Sequence, residues 1–500
     1  MFGSDEVTIT PGMRRYIERN NEYLARRAQY IRDVVKKWKF DTIAVHGLYS
    51  VQDAIEDYQG AIIEPIFMSS SQAYRDSDEM AAALAYLIPT WCYSRIANPS
   101  TYYYEWTLAL LEGYGFDGET SCCSTSSGMA AIMTAVQPFL VHRFHHKLEP
   151  RNFLATAQCY GGTFQQFNVR LQEERDIECR WVQDPTNLEE WAAKIDKNTR
   201  FLYGELPSNP QQGFFDIAAV ADLAHSHQLP LICDSTVATP ALLRPICHGA
   251  DIVVQSATKT LTSSGFGICG AVIARKNLVT NIDNDDLKQD FALYVKYLPN
   301  RDYGPNLHPL QAILTLNDIR TLRSKMDLMS RGTEKVTEFL AHHPQVESVQ
   351  YLGLPEHPLH ELASKYMWLV DAEHDELYQR PVNRYGHLMS FCVKGGAEAA
   401  RAFFDNLQRI WRATDLGRIK SVATIPAIST HLQQGEAGRC LANIPPNMVR
   451  LCVGAEHPDD IIADLDQALN RLTVKVSLGT PARSRTNPAS TATTCATLIY

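Results

Sequence analysis

The residues best suited to covalent chemistry lie between Leu231 and Lys259. Ala250-Asp251-Ile252-Val253-Val254-Gln255 is an apolar, β-branched run of strand length, and it delivers Ser256, Thr258 and Lys259 to its end. Upstream, Leu229-Pro230-Leu231-Ile232-Cys233 is a second short apolar run that closes on Asp234. In open α/β sheets ligands bind beyond the carboxyl ends of parallel strands, so an acid and a lysine there face one pocket. A lysine at a buried strand end is costly unless it is neutralised or used covalently. The chemistry that fits is a Schiff base between Lys259 and an aldehyde cofactor, with Ser256 and Thr258 offering hydroxyls to its phosphate. Asp234 then sits against a pyridine nitrogen. An ion pair at ~4 Å contributes about 4 kcal/mol at an effective dielectric of about 20, enough to keep that nitrogen protonated near neutrality.

Ordinary readings of the same residues exist: a solvated strand-end lysine, and an aspartate that caps a helix. Ser256-Ala257-Thr258-Lys259 also fits the S-x-x-K of penicillin-binding and β-lactamase enzymes, but the partner motifs S-D-N and K-T-G are missing. Gly265-Phe266-Gly267-Ile268-Cys269-Gly270 matches the dinucleotide pattern G-x-G-x-x-G literally. It leads into the strand-like run Ala271-Val272-Ile273-Ala274 rather than a helix, so the context excludes it.

Further candidates are spread along the chain. Ser126-Ser127-Gly128-Met129-Ala130-Ala131 opens a helix whose first N–H groups form an anion site, or an ordinary serine cap. Tyr93 and Arg95, two apart in a loop before the Asn98-Pro99 turn, could grip a phosphate, although surface arginines are mostly solvated. Tyr160 follows the strand Phe153–Ala157 beside Gly161 and Gly162, which let a flat ring approach closely or simply hold a structural tyrosine. Arg450 lies inside the apolar strand Met448–Val453, where a charge needs a partner such as a substrate carboxylate.

The elements that must position these groups alternate between apolar strand and amphipathic helix, which indicates an α/β chain with a doubly wound, mostly parallel sheet. The expected organisation is an N-terminal helical arm and irregular segment (1–75), with a helix from Pro11 to about Lys37 and an irregular stretch from Asp41 to Tyr74. A large domain (76–308), a connector helix (309–342), a smaller C-terminal α+β domain (343–473) and a disordered tail (474–500) follow. The smaller domain should hold strands near 345–352, 387–393, 418–425 and 447–454 and helices near 397–411 and 459–472. Acids interspersed with the arginines of residues 14–33 favour a structural arm over a transit peptide.

Bulk properties narrow the class. Five hundred residues with 45% hydrophobic content carry ample core, and a net charge of −9 argues against nucleic acid as a partner. No apolar run approaches the ~18 to 20 residues of a membrane span. Twelve cysteines without a C-x-x-C pair indicate a reducing, cytoplasmic compartment, and the histidines lack metal-ligand spacing.

Taken in order, the motifs resemble those of the cystathionine γ-synthase-like enzymes of cysteine and methionine metabolism, which use pyridoxal 5'-phosphate. The resemblance covers about Asp41 to Leu472. It rests on Tyr93-Ser94-Arg95 with Asn98-Pro99, Ser127-Gly128-Met129-Ala130-Ala131, Tyr160-Gly161-Gly162-Thr163, Asn209-Pro210, Asp234 with Ala238-Thr239-Pro240, Ser256-Ala257-Thr258-Lys259 and Arg450-Leu451-Cys452-Val453-Gly454. It implies the fold type I (aspartate aminotransferase-like) architecture. It also implies that Lys259 bonds the cofactor, Asp234 holds the pyridinium, Tyr160 stacks on the ring, and Ser127, Gly128, Met129, Ser256 and Thr258 bind the phosphate. Tyr93 and Arg95 then reach the phosphate of a neighbouring subunit, which implies a homodimer at least and commonly a homotetramer. Arg450, with Asn209 and Ser421, is implied in substrate binding.

The implied reaction is γ-replacement on an O-acyl-L-homoserine, the O-acetyl ester in the first instance, through a β,γ-unsaturated ketimine. A γ-lyase on the same scaffold and a non-catalytic relative remain as alternatives. Gly162 stands where family lyases that degrade methionine tend to carry cysteine, which favours transfer. Ser235 and Val237 replace the usual Asn and Phe after the aspartate, and the segment from Ser421 to Pro426 looks shorter than the family's substrate-site loop. These departures should reshape the entrance of the nucleophile, so a carbon nucleophile such as an enolate is expected beside sulfur ones.

Overall fold

The computed structural model describes residues 7–89, 91–141 and 150–477. A seven-stranded sheet forms the larger unit: β1 (Thr120–Thr125), β2 (Arg151–Thr156), β3 (Ile177–Val182), β4 (Thr199–Glu205), β5 (Leu231–Asp234), β6 (Ile252–Gln255) and β7 (Gly270–Arg275), in the order β1-β7-β6-β5-β4-β2-β3. The five strands β6-β5-β4-β2-β3 pair in parallel, and β7 runs antiparallel to both its neighbours. Alternate residues of each strand enter opposite cores. Leu154, Leu202, Cys233, Val253 and Ile273 belong to one buried cluster, and Phe153, Phe201, Ile232, Ile252 and Val272 to the other. A sheet covered on both faces makes its strands read as continuous apolar runs, which is why they were visible without alternation.

The smaller sheet holds β8 (Val346–Gln350), β9 (Leu388–Val393), β10 (Trp411–Arg412), β11 (Val422–Thr424) and β12 (Met448–Cys452), ordered β10-β11-β12-β9-β8 and antiparallel except for β10 with β11. The helix expected near 397–411 stops at Asp405. Asp464 then accepts the N–H groups of Gln408, Arg409 and Ile410, fixing an irregular turn before β10.

Three other expectations differ. The segment from Asp41 to Tyr74 contains two short helices, Phe40–His46 and Val51–Asp57, the second opened by a reciprocal Ser50–Asp53 capping box. The connector from 309 to 342 is two helices, Pro309–Ile319 and Leu322–His342. No Gly or Pro marks the break at Arg320-Thr321; the first helix packs on Pro99–Glu112 of the large unit, whereas the second packs on β8 and the terminal helix of the small one. That terminal helix runs Pro458–Ser477, because no helix breaker occurs before Gly479, so residues 474–477 are helical; the rest of the expected tail lies outside the described residues.

One buried acid couples this framework to pH. Glu112 ends the helix Pro99–Glu112, is fully buried, and accepts the amide of Gln255, the last residue of β6, at 2.6 Å. Burial pushes its carboxyl up to about 8, against the opposing influence of Gln255 and Arg244. An unfolded carboxylate titrates near 4.5, so between that pH and about 8 the unfolded chain has released a proton that the folded one keeps. This contribution to stability is complete below 4.5 and is lost as pH rises to about 8. Denaturant unfolding at pH 5 and pH 8 should therefore show a stability loss in the native protein that Glu112→Gln reduces by about 1 kcal/mol or more. Equal losses in both proteins would exclude a protonated Glu112.

Candidate active site

Three parallel strands place acids and the lysine segment at one sheet edge. Glu205 ends β4 opposite Asp234, which ends β5, and Asp234 in turn lies opposite Val254, just before Ser256–Lys259. Thr236 ties the edge together. Its hydroxyl donates to Asp234 Oδ1 at 2.6 Å and accepts the Ser256 N–H at 2.8 Å, while its own N–H adds a 3.0 Å bond to Asp234. Burial pushes the Asp234 carboxyl up, opposed by the hydrogen bonds from Thr236 and Tyr203. Glu205 is pushed up by burial and by the nearby Asp234 charge. Among the described residues no cation acts on either carboxyl, so this pair of acids calls for a positive group from a ligand.

A cradle for an anion adjoins them. Ser127 caps the helix Gly128–Leu140, its hydroxyl accepting the Ala130 N–H at 3.1 Å. The N–H groups of Gly128 and Met129, at the first turn, have no intrahelical acceptor. A Cβ on Gly128 would stand 2.4 Å from Ser256 Cβ, so only glycine lets this helix start meet the end of β6. The Ser256 hydroxyl, two hydrogen-bond donors and the positive helix end converge there. Thr258, expected to share this role, instead spends its hydroxyl on Cys269, donating to its carbonyl and accepting its N–H at 3.0 Å each.

Lys259 follows this cradle and is partly exposed, with its amine 2.9 Å from Asp415 Oδ1. Arg450, which meets the same turn through the Asp415 carbonyl, is fully buried in β12. Its two terminal nitrogens donate to Asn209 Oδ1 (3.2 Å) and to the carbonyls of Thr414 (3.1 Å) and Asp415 (2.7 Å), and its Nε has no partner. No carboxylate lies within ion-pair distance of it among the described residues, and burial lowers the guanidinium below its ordinary range. A buried cation in this condition is completed by a carboxylate ligand. Asn209 is itself held by its N–H to Glu205, at 2.7 Å, and the other oxygen of Glu205 accepts the Tyr160 N–H, also at 2.7 Å. Tyr160 is 38% exposed, and its ring lies edge-on to that of His431. Gly162 makes room for it: a Cβ there would meet the Tyr160 ring at 2.5 Å and Met129 Sδ at 3.1 Å.

The structure thus brings together Lys259, Asp234, Tyr160, Ser127, Gly128, Met129, Ser256, Arg450 and Asn209. Ser421 does not join them. Its N–H and hydroxyl go to Glu456, its carbonyl accepts from Trp411, and its hydroxyl accepts the Gly454 N–H, so no polar group is left for a substrate. The stretch after it is strand β11 rather than a short loop. Tyr93 and Arg95 contact Ser71, each other and the Arg301 carbonyl; none of these contacts within one chain is with Gly128, Met129 or Ser256. Val237 and Ser235 are buried, and Val237 packs on Leu388, Leu416 and Cys452 beneath the 414–417 loop rather than at an entrance. The sequence reading missed Glu205, Thr236 and Asp415. Glu205 ends a buried strand just as Asp234 does and was available to the same logic, whereas Asp415 lies in an irregular segment that no local pattern marks.

These residues fit pyridoxal phosphate on three independent counts: a reactive amine, a buried carboxyl lacking a cation, and an anion cradle at a helix start. Comparison with known proteins agrees. Residues 41–470 match the family described as Cys/Met metabolism PLP-dependent enzyme. The chain is 34% identical over 435 residues to an L-methionine gamma-lyase of Porphyromonas gingivalis, covering 87% of this chain and 97% of that one. It is 33% identical to an O-acetyl-L-homoserine sulfhydrylase of Corynebacterium glutamicum, covering 86% and 96%. Among solved structures, a putative O-acetylhomoserine (thiol)-lyase of Campylobacter jejuni, carrying N'-pyridoxyl-lysine-5'-monophosphate, aligns with TM-score 0.76 and 31% identity over 87% of this chain and all of that one. A cystathionine gamma-lyase of Lactobacillus plantarum, complexed with L-serine, aligns with TM-score 0.72 and 28% identity over the same shares. The chain therefore belongs to the pyridoxal-phosphate-dependent enzymes of cysteine and methionine metabolism, with the fold type I architecture, and works by elimination or replacement on small amino acids.

Proposed function

We propose that this enzyme catalyses γ-replacement on an O-acyl-L-homoserine, the O-acetyl ester in the first instance, and that its acceptors include carbon nucleophiles such as enolates beside sulfur ones. The observation that carries the reading is that one turn holds both Lys259 and Arg450: an amine for proton transfer on the Asp415 side chain, and on the Thr414 and Asp415 carbonyls a buried guanidinium that meets no carboxylate among the described residues. O-acyl-homoserine sulfhydrylases are among the relatives, and support for transfer over elimination comes from Gly162, whose missing side chain leaves the Tyr160 ring its position.

When bound, pyridoxal phosphate supplies the electron sink that acidifies the carbons of the substrate. The roles of the chain's own groups follow from their chemistry. Arg450, with Asn209, grips the α-carboxylate and orients the amino acid. Lys259 would attach the cofactor, and its amine, once free, would take the proton from Cα and move one from Cβ, so that the Cγ–O bond breaks and the acyl group leaves as its carboxylate. Asp234 would keep the ring nitrogen positive, and Gly128, Met129, Ser127 and Ser256 would hold the phosphate. Tyr160 would stack on the ring and assist proton transfer. Tyr93 and Arg95 serve the phosphate site of a neighbouring subunit, so the active unit is at least a homodimer, and its compartment is the cytoplasm.

The γ-lyase reading stands second because L-methionine gamma-lyases are equally similar over most of their length. Incubation with O-acetyl-L-homoserine and a panel of sulfur and carbon nucleophiles, with products identified by mass, separates the two. Transfer predicts adducts at Cγ that grow at the expense of ammonia and 2-oxobutanoate; undiverted release of those two products would establish the lyase. Cystathionine or homocysteine as the sole adducts would remove the carbon acceptors. Lys259→Ala should lose both the visible absorbance of the bound cofactor and turnover. Arg450→Lys removes the planar fork but keeps the charge, and should lower kcat/KM by about 10- to 100-fold, chiefly through KM.

A further inference from the structure

Asp415 is a carboxylate beside the reactive amine that neither the motifs nor the roles above employ. Its side chain bridges two cations: Oδ1 lies 2.9 Å from Lys259 Nζ, and Oδ2 accepts the Arg418 guanidinium. Oδ1 also accepts the N–H of Leu416 at 2.9 Å, which fixes the rotamer of the side chain to its own backbone. Burial alone would raise this carboxyl; the charges and hydrogen bonds of Lys259 and Arg418 hold it below its ordinary range.

The loop carrying Asp415 is clamped onto the lysine segment at several points. Arg418 donates to the carbonyls of Thr258 (2.9 Å) and Thr262 (2.7 Å), which bracket Lys259. Gly417 has φ +76°, and a Cβ on it would stand 2.5 Å from the Thr260 nitrogen, so the two backbones touch. The Gly417 N–H donates to Cys452 Sγ at 3.0 Å, Cys452 meets His387 at 3.1 Å, and His387 meets the Thr260 hydroxyl at 2.7 Å. On its other side the loop offers the carbonyls of Thr414 and Asp415 to Arg450. One rigid turn of the small unit therefore carries the acceptor for the amine of Lys259 and the backbone support of the buried guanidinium.

We propose that Asp415 is a positioning residue for Lys259: its carboxylate faces the lysine nitrogen whether or not that nitrogen is bonded to the cofactor, and keeps the free amine aimed at the carbons whose protons it moves. An unrestrained lysine side chain samples many rotamers, and a single charged acceptor on a clamped loop removes most of that freedom. The inference rests on the proton-transfer role assigned to Lys259 above.

The test compares Asp415→Asn, which preserves shape, with Asp415→Ser, which carries the test should the first variant fold poorly by thermal melting. On whichever donor the product panel identifies, kcat should fall about 100-fold with KM within about threefold, the pattern of a misplaced proton-transfer group rather than lost binding. The second readout needs no substrate, so it survives if the proposed reaction is wrong. The pH at which the visible band of the bound cofactor changes should shift downward, because a negative charge favours the protonated form of the nitrogen it faces. The other charged or titratable groups around Asp415 are Arg418, Arg450 on the carbonyl of Asp415 itself, Cys452 and Tyr160, and both substitutions leave them in place. A folded, cofactor-bound variant with the wild-type midpoint and kcat within about threefold of wild type would overturn the assignment.

Discussion

A guanidinium buried to zero exposure, with no carboxylate to meet it among the described residues, is costly to a folded chain and is relieved by a ligand that completes it. Arg450 is in that condition, and the rest of the cleft is arranged around it. Asn209 and two carbonyls of the 414–415 turn occupy its terminal nitrogens, which fixes the plane of the fork and leaves Nε unsatisfied. Linked to it through Asn209, Glu205 forms with Asp234 the complementary imbalance: two buried carboxyls on which no cation acts among the described residues. Separated charges of opposite sign, each incomplete by itself, make a site that suits a zwitterionic amino acid together with a cationic ring.

Both sheets are needed to assemble this. The parallel strands β4, β5 and β6 bring Glu205, Asp234 and Ser256–Lys259 to a common edge simply by ending together, and the glycine at position 128 lets the helix start join them. The small, mostly antiparallel sheet brings Arg450 on β12 and Asp415 on the turn before β11. Glu205 spans the two contributions, since its two oxygens hold the backbone of Tyr160 and of Asn209, and Asn209 in turn touches Arg450. A buried acid with no direct part in the chemistry thus sets the distance between the aromatic ring and the carboxylate clamp.

The polar chain Thr260–His387–Cys452–Gly417 has a similar character. Burial lowers His387 to about 4, so it remains neutral and can link a hydroxyl to a thiol without introducing charge beside Arg450. Val237 packs beneath the same turn through Leu416. The departure from the usual residue at this position therefore acts on the support of the turn rather than on the walls of an entrance.

Much of this was legible in the sequence, for identifiable reasons. Parallel strands covered on both faces must be continuously apolar, so β4, β5 and β6 and the polar residues that end them stand out as contrasts, and the glycine-serine start of the helix at 127–128 is a local signal. Arg450 was detectable because a charge interrupts an apolar strand. What the sequence could not determine was the commitment of each polar group. Ser421 and Thr258 carry the right chemistry at plausible positions, yet their hydroxyls are taken by Glu456 and Cys269, partners 35 and 11 residues away. Asp415 shows the converse: nothing in its irregular segment marks it, and its meeting with Lys259 across 156 residues exists only because the turn is clamped to the lysine segment by Arg418, Gly417 and Cys452. Residue type and strand periodicity are local and survive in one dimension, whereas hydrogen-bond partnership depends on which backbones the tertiary packing presses together.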